Sequence, residues 1–277
     1  PAVADAMLVN RLLLESPYIE MIPTLRKADG SVFQALAGNI MGGGSSVNMM
    51  SLVRPIPHDF EAWTKCGISG WTWKDVLPVF RRIESDQDYP ESQFHGNSGP
   101  VYVKRRLSFD RPMQGLERAV TEAAEELGLP LCPDQNLPNP YGVSPTAYAV
   151  KDGVRQSATQ AYLSPARGRS NLTIEAESLV HSLDVYKTRV TGVRYQRGGR
   201  VTAVSGDRVV LCAGAYHSPK ILLLSGIGPI DELKRNGIPV IHPLEGVGEN
   251  FQDHTVVYMS YEGAKPHHED WIVPGVM

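Results

Sequence analysis

Apolar residues recur at helical spacing through Trp73–Ile83, where Val76, Leu77, Val79, Phe80 and Ile83 share one side. That pattern predicts an amphipathic helix, with a shorter one over residues 59–63. A third helix is predicted over about residues 113–127. There Leu116, Ala119, Val120, Ala123, Ala124 and Leu127 fall together and Gly128 closes the element. From Leu172 the period changes to that of strands. Residues 172–174 begin one strand and residues 178–186 form the next. Residues 192–196 and 200–204 then bracket Arg197-Gly-Gly199, a hairpin turn. Residues 207–214 differ, because their centre is uninterruptedly apolar, as in a strand covered on both faces of an α/β sheet. They lead into a helix with Ser218 as N-cap, Pro219 at its first position and Gly226 as its stop. Residues 101–103 read as a short strand after a turn at 96–99. Residues 131–148 hold four prolines and read as loop. Residues 1–37 read as a helix mixed with polar loop.

Composition narrows the class. The chain has 277 residues, 42% hydrophobic and 21% charged, which suits a globular protein of one large domain or two smaller ones. A net charge of −3 gives no reason to expect nucleic acid or an anionic membrane as partner. Cys66, Cys132 and Cys212 are widely spaced, so neither a disulfide framework nor a zinc knuckle is expected. Apolar runs such as Ile221 to Leu224 fall far short of a membrane span. The first residue is proline, so targeting is not read from this end, and a cytoplasmic location is the working expectation.

Candidate chemistry begins at Gly38-Asn-Ile-Met-Gly-Gly-Gly-Ser-Ser-Val-Asn48, three consecutive glycines inside an apolar run. Each glycine costs roughly 0.5–1 kcal/mol in a regular element. Either a ligand approaches the backbone closely or the chain makes a tight left-handed bend. Ser45 and Ser46 add hydroxyl donors beside the turn. Residues 207–226 supply a second candidate, a strand running through Ala213 and Gly214 into a helix N-terminus, where nucleotide phosphates bind. Each feature alone is equally satisfied by tight packing.

Their order is more specific. Gly42-Gly-Gly-Ser-Ser-Val-Asn48 is followed by His58-Asp-Phe-Glu-Ala-Trp63, Gly70-Trp-Thr-Trp73 and His95-Gly-Asn-Ser-Gly-Pro100. Then come Ala161-Tyr-Leu163, Asn171-Leu-Thr-Ile174, Gly214-Ala-Tyr-His-Ser-Pro219, Ser225-Gly-Ile-Gly-Pro229 and Gly246-Val-Gly-Glu-Asn-Phe-Gln-Asp-His254. From about residue 35 to about 255 the chain resembles the glucose–methanol–choline (GMC) family of flavin oxidoreductases.

The resemblance implies an α/β fold. It comprises a Rossmann-like FAD-binding domain, residues 1–66 and 166–255, interleaved with a substrate domain of antiparallel sheet and helices, residues 67–165 and 256–277. It implies that Gly42, Gly43, Gly44 and Ser45 wrap the FAD pyrophosphate, and that Asn48, Met49, Met50 and Ser51 pass along the isoalloxazine. The Val180 backbone would meet adenine, and Ala213, Gly214 and Ser218 would lie by the dinucleotide. Some members attach FAD through a histidine where this chain has Val47, so FAD is expected to be non-covalent. The implied reaction is oxidation of a small-molecule alcohol, with hydride passing to flavin and electrons then to dioxygen or another acceptor. A hydroxynitrile lyase, or a non-catalytic fragment, are the alternatives. No GxGxxG turn precedes Gly38 and nothing after His254 matches the region that supplies the family's active-site histidine. The flanking segments, on this or a separate chain, are therefore expected partners. Without them the strand at 207–214 would lack parallel neighbours, so the chain alone is expected to be insoluble or free of FAD.

No catalytic residue and no metal site is assigned. His217 and His254 read as structural, and His267-His268-Glu-Asp270 as a solvated run. His58, His95, His181 and His242 show no partner pattern. Trp63, Trp71 and Trp73 read as packing between lobes. Lys104-Arg105-Arg106 reads as a solvated basic face, and Asn171-Leu-Thr173 as a turn rather than a glycosylation acceptor.

Overall fold

The computed structural model describes residues 16–25, 32–110, 113, 115–253 and 275–276. They fall into two units, one running to Leu172 and including residues 275–276, the other starting at Thr173. Among the described residues no helix is long and apolar enough to cross a membrane.

Among the described residues the first unit opens on strands; the helix expected within residues 1–37 falls in large part outside them, at residues 1–15 and 26–31. β1 (Ile19–Leu25) and β2 (Val32–Gly38) form an antiparallel pair with Ile19 opposite Gly38 and Leu25 opposite Val32. Pro23 is tolerated because each strand of a two-stranded sheet has a free edge. A four-residue helix follows, α1 (Gly44–Val47). α2 (Pro57–Lys65) starts on a proline, with Asp59 accepting a hydrogen bond from the Ile56 amide at 2.8 Å. α3 (Trp73–Ile83) matches its sequence pattern, and Asp75 caps it by accepting from the Thr72 amide and hydroxyl at 2.9 and 2.7 Å. The tryptophans pack inside this unit. Phe60, 2% exposed, stands 5.3 Å from Trp63, 6.2 Å from Trp73 and 6.3 Å from Phe80, ring centre to ring centre.

β3 (Glu84–Asp86) runs parallel to β4 (Val101–Arg105), and β6 (Ala147–Tyr148) joins β4 antiparallel. α4 (Gly115–Glu126) lies between them in sequence. Its inward stripe departs from the predicted apolar side: Thr121 and Ala124 are buried while Leu127, just beyond the helix, is 81% exposed. Thr121 can be buried because its hydroxyl donates to the Glu117 carbonyl at 2.8 Å. The stretch expected to be loop holds β5 (Val143–Ser144), paired with β14 (Gly275–Val276), as well as β6. Val143 and Ala147 are fully buried, and that burial holds two-residue strands among the prolines. β7 (Val150–Lys151) and β8 (Val154–Arg155) form a hairpin through Asp152-Gly153, whose φ angles of 50° and 75° are those of a tight two-residue turn. A π-helical turn (Thr159–Leu163) and α5 (Ser164–Ala166) follow.

The second unit is built on an antiparallel sheet, β9 (Leu179–Tyr186), β10 (Arg189–Arg197) and β11 (Arg200–Ser205), with β10 central. Gly198 and Gly199 make the predicted hairpin turn, with Arg197 opposite Arg200. Two expected strands do not form. Residues 172–174 and 207–213 pair with nothing among the described residues, and Val210, expected to be covered on both faces, is 82% exposed. An apolar run becomes a buried strand only when neighbours accept its backbone bonds. α6 (Gly214–Leu224) begins before the predicted cap, so Ser218 and Pro219 lie within it. Ser218 reaches back instead, its hydroxyl accepting from the Ala213 amide at 3.1 Å. Gly226 ends the helix as expected, with φ 74°. β12 (Ile227–Gly228) and β13 (His242–Pro243) pair in parallel around α7 (Ile230–Arg235), whose Leu233 is fully buried.

Candidate functional site

The glycine turn joins β2 to α1. Gly42 and Gly43 have φ of 90° and 52°, and Gly43 has ψ of −135°, a combination open to glycine alone. At Gly43 and Gly44 an added Cβ would meet no protein atom within 4 Å, so bare backbone borders open space. At Gly42 a Cβ would instead collide with the Ser46 and Thr159 hydroxyls, and at Gly38 with the backbone of Gly43 at 2.6 Å. Thr159 Oγ1 is itself buried there without a hydrogen-bond partner. The triplet thus serves both purposes weighed above. Gly38 and Gly42 permit close packing of the turn, while Gly43 and Gly44 leave a cradle that a larger residue would fill.

The two serines differ from expectation. Ser45 Oγ donates to the Gly42 carbonyl at 2.5 Å and accepts from the Ala158 amide at 2.9 Å. Ser46 Oγ donates to the Met41 carbonyl at 2.8 Å, and Ser46 is buried. Their hydrogens are engaged by carbonyls of the turn itself in this structure.

Arg155, 2% exposed, was missed in the sequence. One guanidinium nitrogen donates to the carbonyls of Ser45 and Asn48 at 3.2 and 2.7 Å and to the Asn48 side chain at 2.9 Å. It caps the carbonyl end of α1, where a cation is favoured. Burial pulls its pKa below the ordinary value. The signal was Asp152-Gly153, a turn pair whose hairpin delivers Arg155 to this place. Beyond α1, Asn48 also accepts from the Met50 amide at 3.0 Å, and Met50 takes φ of 62°. Met49 and Ser51 are exposed, whereas Met50 and Val47 are buried. Residues 42–51 therefore form one continuous strip.

In the second unit, Ala213, Gly214 and Ser218 gather at the start of α6. Gly214 has φ of 82°, and a Cβ there would meet nothing within 4 Å. Val180 is half-buried on β9, opposite Tyr195. These residues belong to a different unit from the glycine strip.

A third assembly lies behind the strip, at residues the sequence reading dismissed. His95 has partners on both ring nitrogens: Nδ1 is 2.9 Å from Glu84 and 3.1 Å from Asp86, and Nε2 is 2.6 Å from Asp134. Carboxylates only accept, so both nitrogens carry hydrogen and the ring is an imidazolium. Burial alone would push its pKa down, but Asp134 and Glu84 outweigh it and hold His95 at about 9. In return, against the same opposing burial, the His95 bond and the Arg105 charge hold Asp134 at about 2. Glu84 is likewise lowered, by His95 and Arg54 against its burial. Arg105 donates to Asp86 at 2.9 Å and to Asp134 at 2.6 Å, and Arg54 pairs with Glu84. Arg105 is 5% exposed, so the run at 104–106 is not simply a solvated face; Lys104 and Arg106 alone point outward. Ligand atoms of Glu84, Asp86 and His95 lie within 4.8 Å of one another, as in a metal site. Two guanidinium groups already supply the positive charge there.

The other histidines are unremarkable in position: His58 is exposed beside Glu61, and His181 bonds Gln196 at 3.0 Å. His254, His267 and His268 lie outside the described residues.

Comparison with known proteins gives the family. A GMC oxidoreductase family model matches residues 16–256. The chain is 41% identical over 221 residues to a 5-(hydroxymethyl)furfural oxidase of Methylovorus sp. (strain MP688), covering 79% of this chain and 41% of that protein. It is 38% identical over 242 residues to the mitochondrial choline dehydrogenase of Homo sapiens, covering 87% of this chain and 40% of that one. Among solved structures, the pyridoxine 4-oxidase from Mesorbium loti superposes with a TM-score of 0.81 at 32% identity, covering 88% of this chain and 48% of that one. The chain belongs to the GMC oxidoreductase family, flavoproteins whose cofactor is FAD. It spans about 40% of the length of the curated relatives it matches.

Proposed function

We propose that this chain supplies the pyrophosphate cradle and flavin-flanking strip of an FAD-dependent enzyme that oxidises a small-molecule alcohol. The observation that carries the reading is the bare backbone of Gly43 and Gly44 at the edge of open space, in a turn only glycine can make. When bound, FAD supplies the acceptor for the hydride that leaves the carbinol carbon. The chain's own residues bind and orient. The open backbone at Gly43 and Gly44 would admit the pyrophosphate, Arg155 holds α1 in register, and Asn48, Met49, Met50 and Ser51 would lie along the ring system. Ala213, Gly214, Ser218 and the Val180 backbone are read, from the family resemblance, as further residues for the dinucleotide. On this reading residues 1–66 and 166–255 are the flavin side, and residues 67–165 with 256–277 the substrate side.

Val47 has no nucleophile to offer, so FAD is held non-covalently, and acid precipitation of the holoprotein is expected to release all of the flavin. No residue of this chain is assigned as the base that takes the alcohol proton. The glycine cradle is tested by Gly43→Val, which forces a branched side chain into the cradle and adds about 1–3 kcal/mol of backbone strain. Loss of bound FAD with the circular-dichroism spectrum kept is expected; a variant that purifies with stoichiometric FAD would refute the cradle.

A further inference from the structure

Six ionised side chains are buried together behind the glycine strip: Arg54, Glu84, Asp86, His95, Arg105 and Asp134, none more than 6% exposed. With His95 protonated they balance, three positive against three negative. At the rim Asp88, 3.5 Å from Arg105 and partly solvated, and Arg81, whose guanidinium donates to the His95 carbonyl at 3.0 Å, add one charge of each sign. The Tyr89 ring lies beside them, 6.0 Å from His95 and under the Arg105 guanidinium, with its hydroxyl turned to the Pro133 carbonyl. Removing the His95 proton leaves one carboxylate charge uncompensated in a space closed to water, a costly state.

This set is wired to the strip. Asp134 accepts from the Asn136 amide at 3.0 Å, which fixes the turn carrying Asn136. The Asn136 side chain then clasps the strip's exit, accepting from the Arg54 amide at 2.9 Å and donating to the Leu52 carbonyl at 3.0 Å. From the other side the Leu52 amide donates to the Ala147 carbonyl at 2.8 Å. Arg54 is both the residue clasped and one of the six charges, its guanidinium also donating to the Phe94 carbonyl at 2.7 Å. Arg155 holds the strip's start. The charged set holds its end.

We propose that the His95 imidazolium is a positioning residue for the FAD strip: by keeping the six buried charges neutral it fixes Asn136 on residues 52–54, and so holds the strip in the shape that accepts FAD. The inference rests on the FAD reading above and adds to it a proton-controlled grip. His95 touches no cofactor itself. It acts through Asp134 and Asn136.

The test is FAD release from the holoprotein, followed by recovery of flavin fluorescence, from neutral pH to about 10. Release from the unmutated protein is expected to speed up as pH passes through about 9, with the far-ultraviolet spectrum unchanged. His95→Gln is expected to release FAD roughly tenfold faster already at neutral pH, with the pH dependence gone. His95→Gln combined with Glu84→Gln is neutral again, and is expected to recover most of the lost affinity. A merely steric role for His95 would not produce that rescue. Asn136→Ala cuts the clasp and leaves the charges alone, so it should loosen FAD by a similar factor and, because the proton acts through Asn136, flatten the alkaline acceleration of release. Folded His95→Gln and Asn136→Ala proteins that hold FAD like the unmutated one overturn the proposal; if His95→Gln does not fold, Asn136→Ala decides alone. A soluble, folded unmutated protein, supplied with the partner segments expected from the sequence, that takes up no FAD at all brings down the cradle reading first, and this inference with it.

Discussion

At the scale of single residues, the His95 proton makes stability depend on pH in a direction that can be worked out. Folding raises its pKa from 6.5 to about 9, so the native state holds this proton more tightly than the unfolded chain does. The stabilisation is complete below about 6.5 and is lost as pH rises through about 9, amounting to roughly 3 kcal/mol at most. Asp134 has the opposite sign. Its pKa falls from 3.8 to about 2, so its contribution is present above 3.8 and disappears as pH drops through about 2. Urea midpoints should therefore be highest in mildly acidic to neutral buffer and decline on both sides. In His95→Gln the alkaline decline should flatten; in the unmutated protein, a midpoint that is level from neutrality to about pH 9 would contradict the imidazolium. None of this was legible in the string Lys104-Arg105-Arg106 taken as three like charges. Strand alternation supplies the missing step: Val101, Val103 and Arg105 share a face, so a buried Val103 implies a buried Arg105 in need of carboxylates. Which carboxylates, and that His95 joins them, depends on contacts between distant segments that no local pattern encodes.

Elements were legible where a pattern and a cap agreed. α3 carries both, its apolar spacing and the Thr72–Asp75 cap, and its predicted and observed bounds coincide. In α4 the apolar stripe misled, because alanines are indifferent to burial and Thr121 can hide its hydroxyl on its own helix. Two substitutions separate these effects. Leu127→Glu should change the melting temperature very little, within about 0.5 kcal/mol, since the side chain is already in solvent. Gly128→Ala should cost about 1 kcal/mol, because Gly128 has φ of 79° and bonds the Glu125 carbonyl at 2.9 Å in closing the helix. Equal effects of the two would refute the observed facing of α4. The start of α6 shows the reverse error: Ser-Pro is a good N-terminal pair, yet Gly214 provides an earlier entry and Ser218 caps from inside the helix.

At the scale of the whole molecule, the family was readable from motif order, while the state of the expected central strand was not. Residues 172–174 and 207–213 carry the composition of interior strands and lie unpaired among the described residues. Composition states what an element can become; a sheet also needs the partner. The same segment offers a means of watching that partner arrive. Cys212 is a free thiol, exposed, and set two residues before the turn of α6 that is assigned to FAD. An exposed thiol reacts with maleimide or a disulfide reagent at a rate set by access. Strand pairing on either edge of residues 207–213 would close that access, so the labelling half-time of Cys212 becomes a clock for completion of the sheet. Cys66, exposed in the other unit, reports the unprotected rate in the same sample, and Cys132, buried, reports unfolding. Adding the flanking sequence should slow Cys212 alone; parallel slowing of Cys66 would mean general aggregation rather than pairing at that strand.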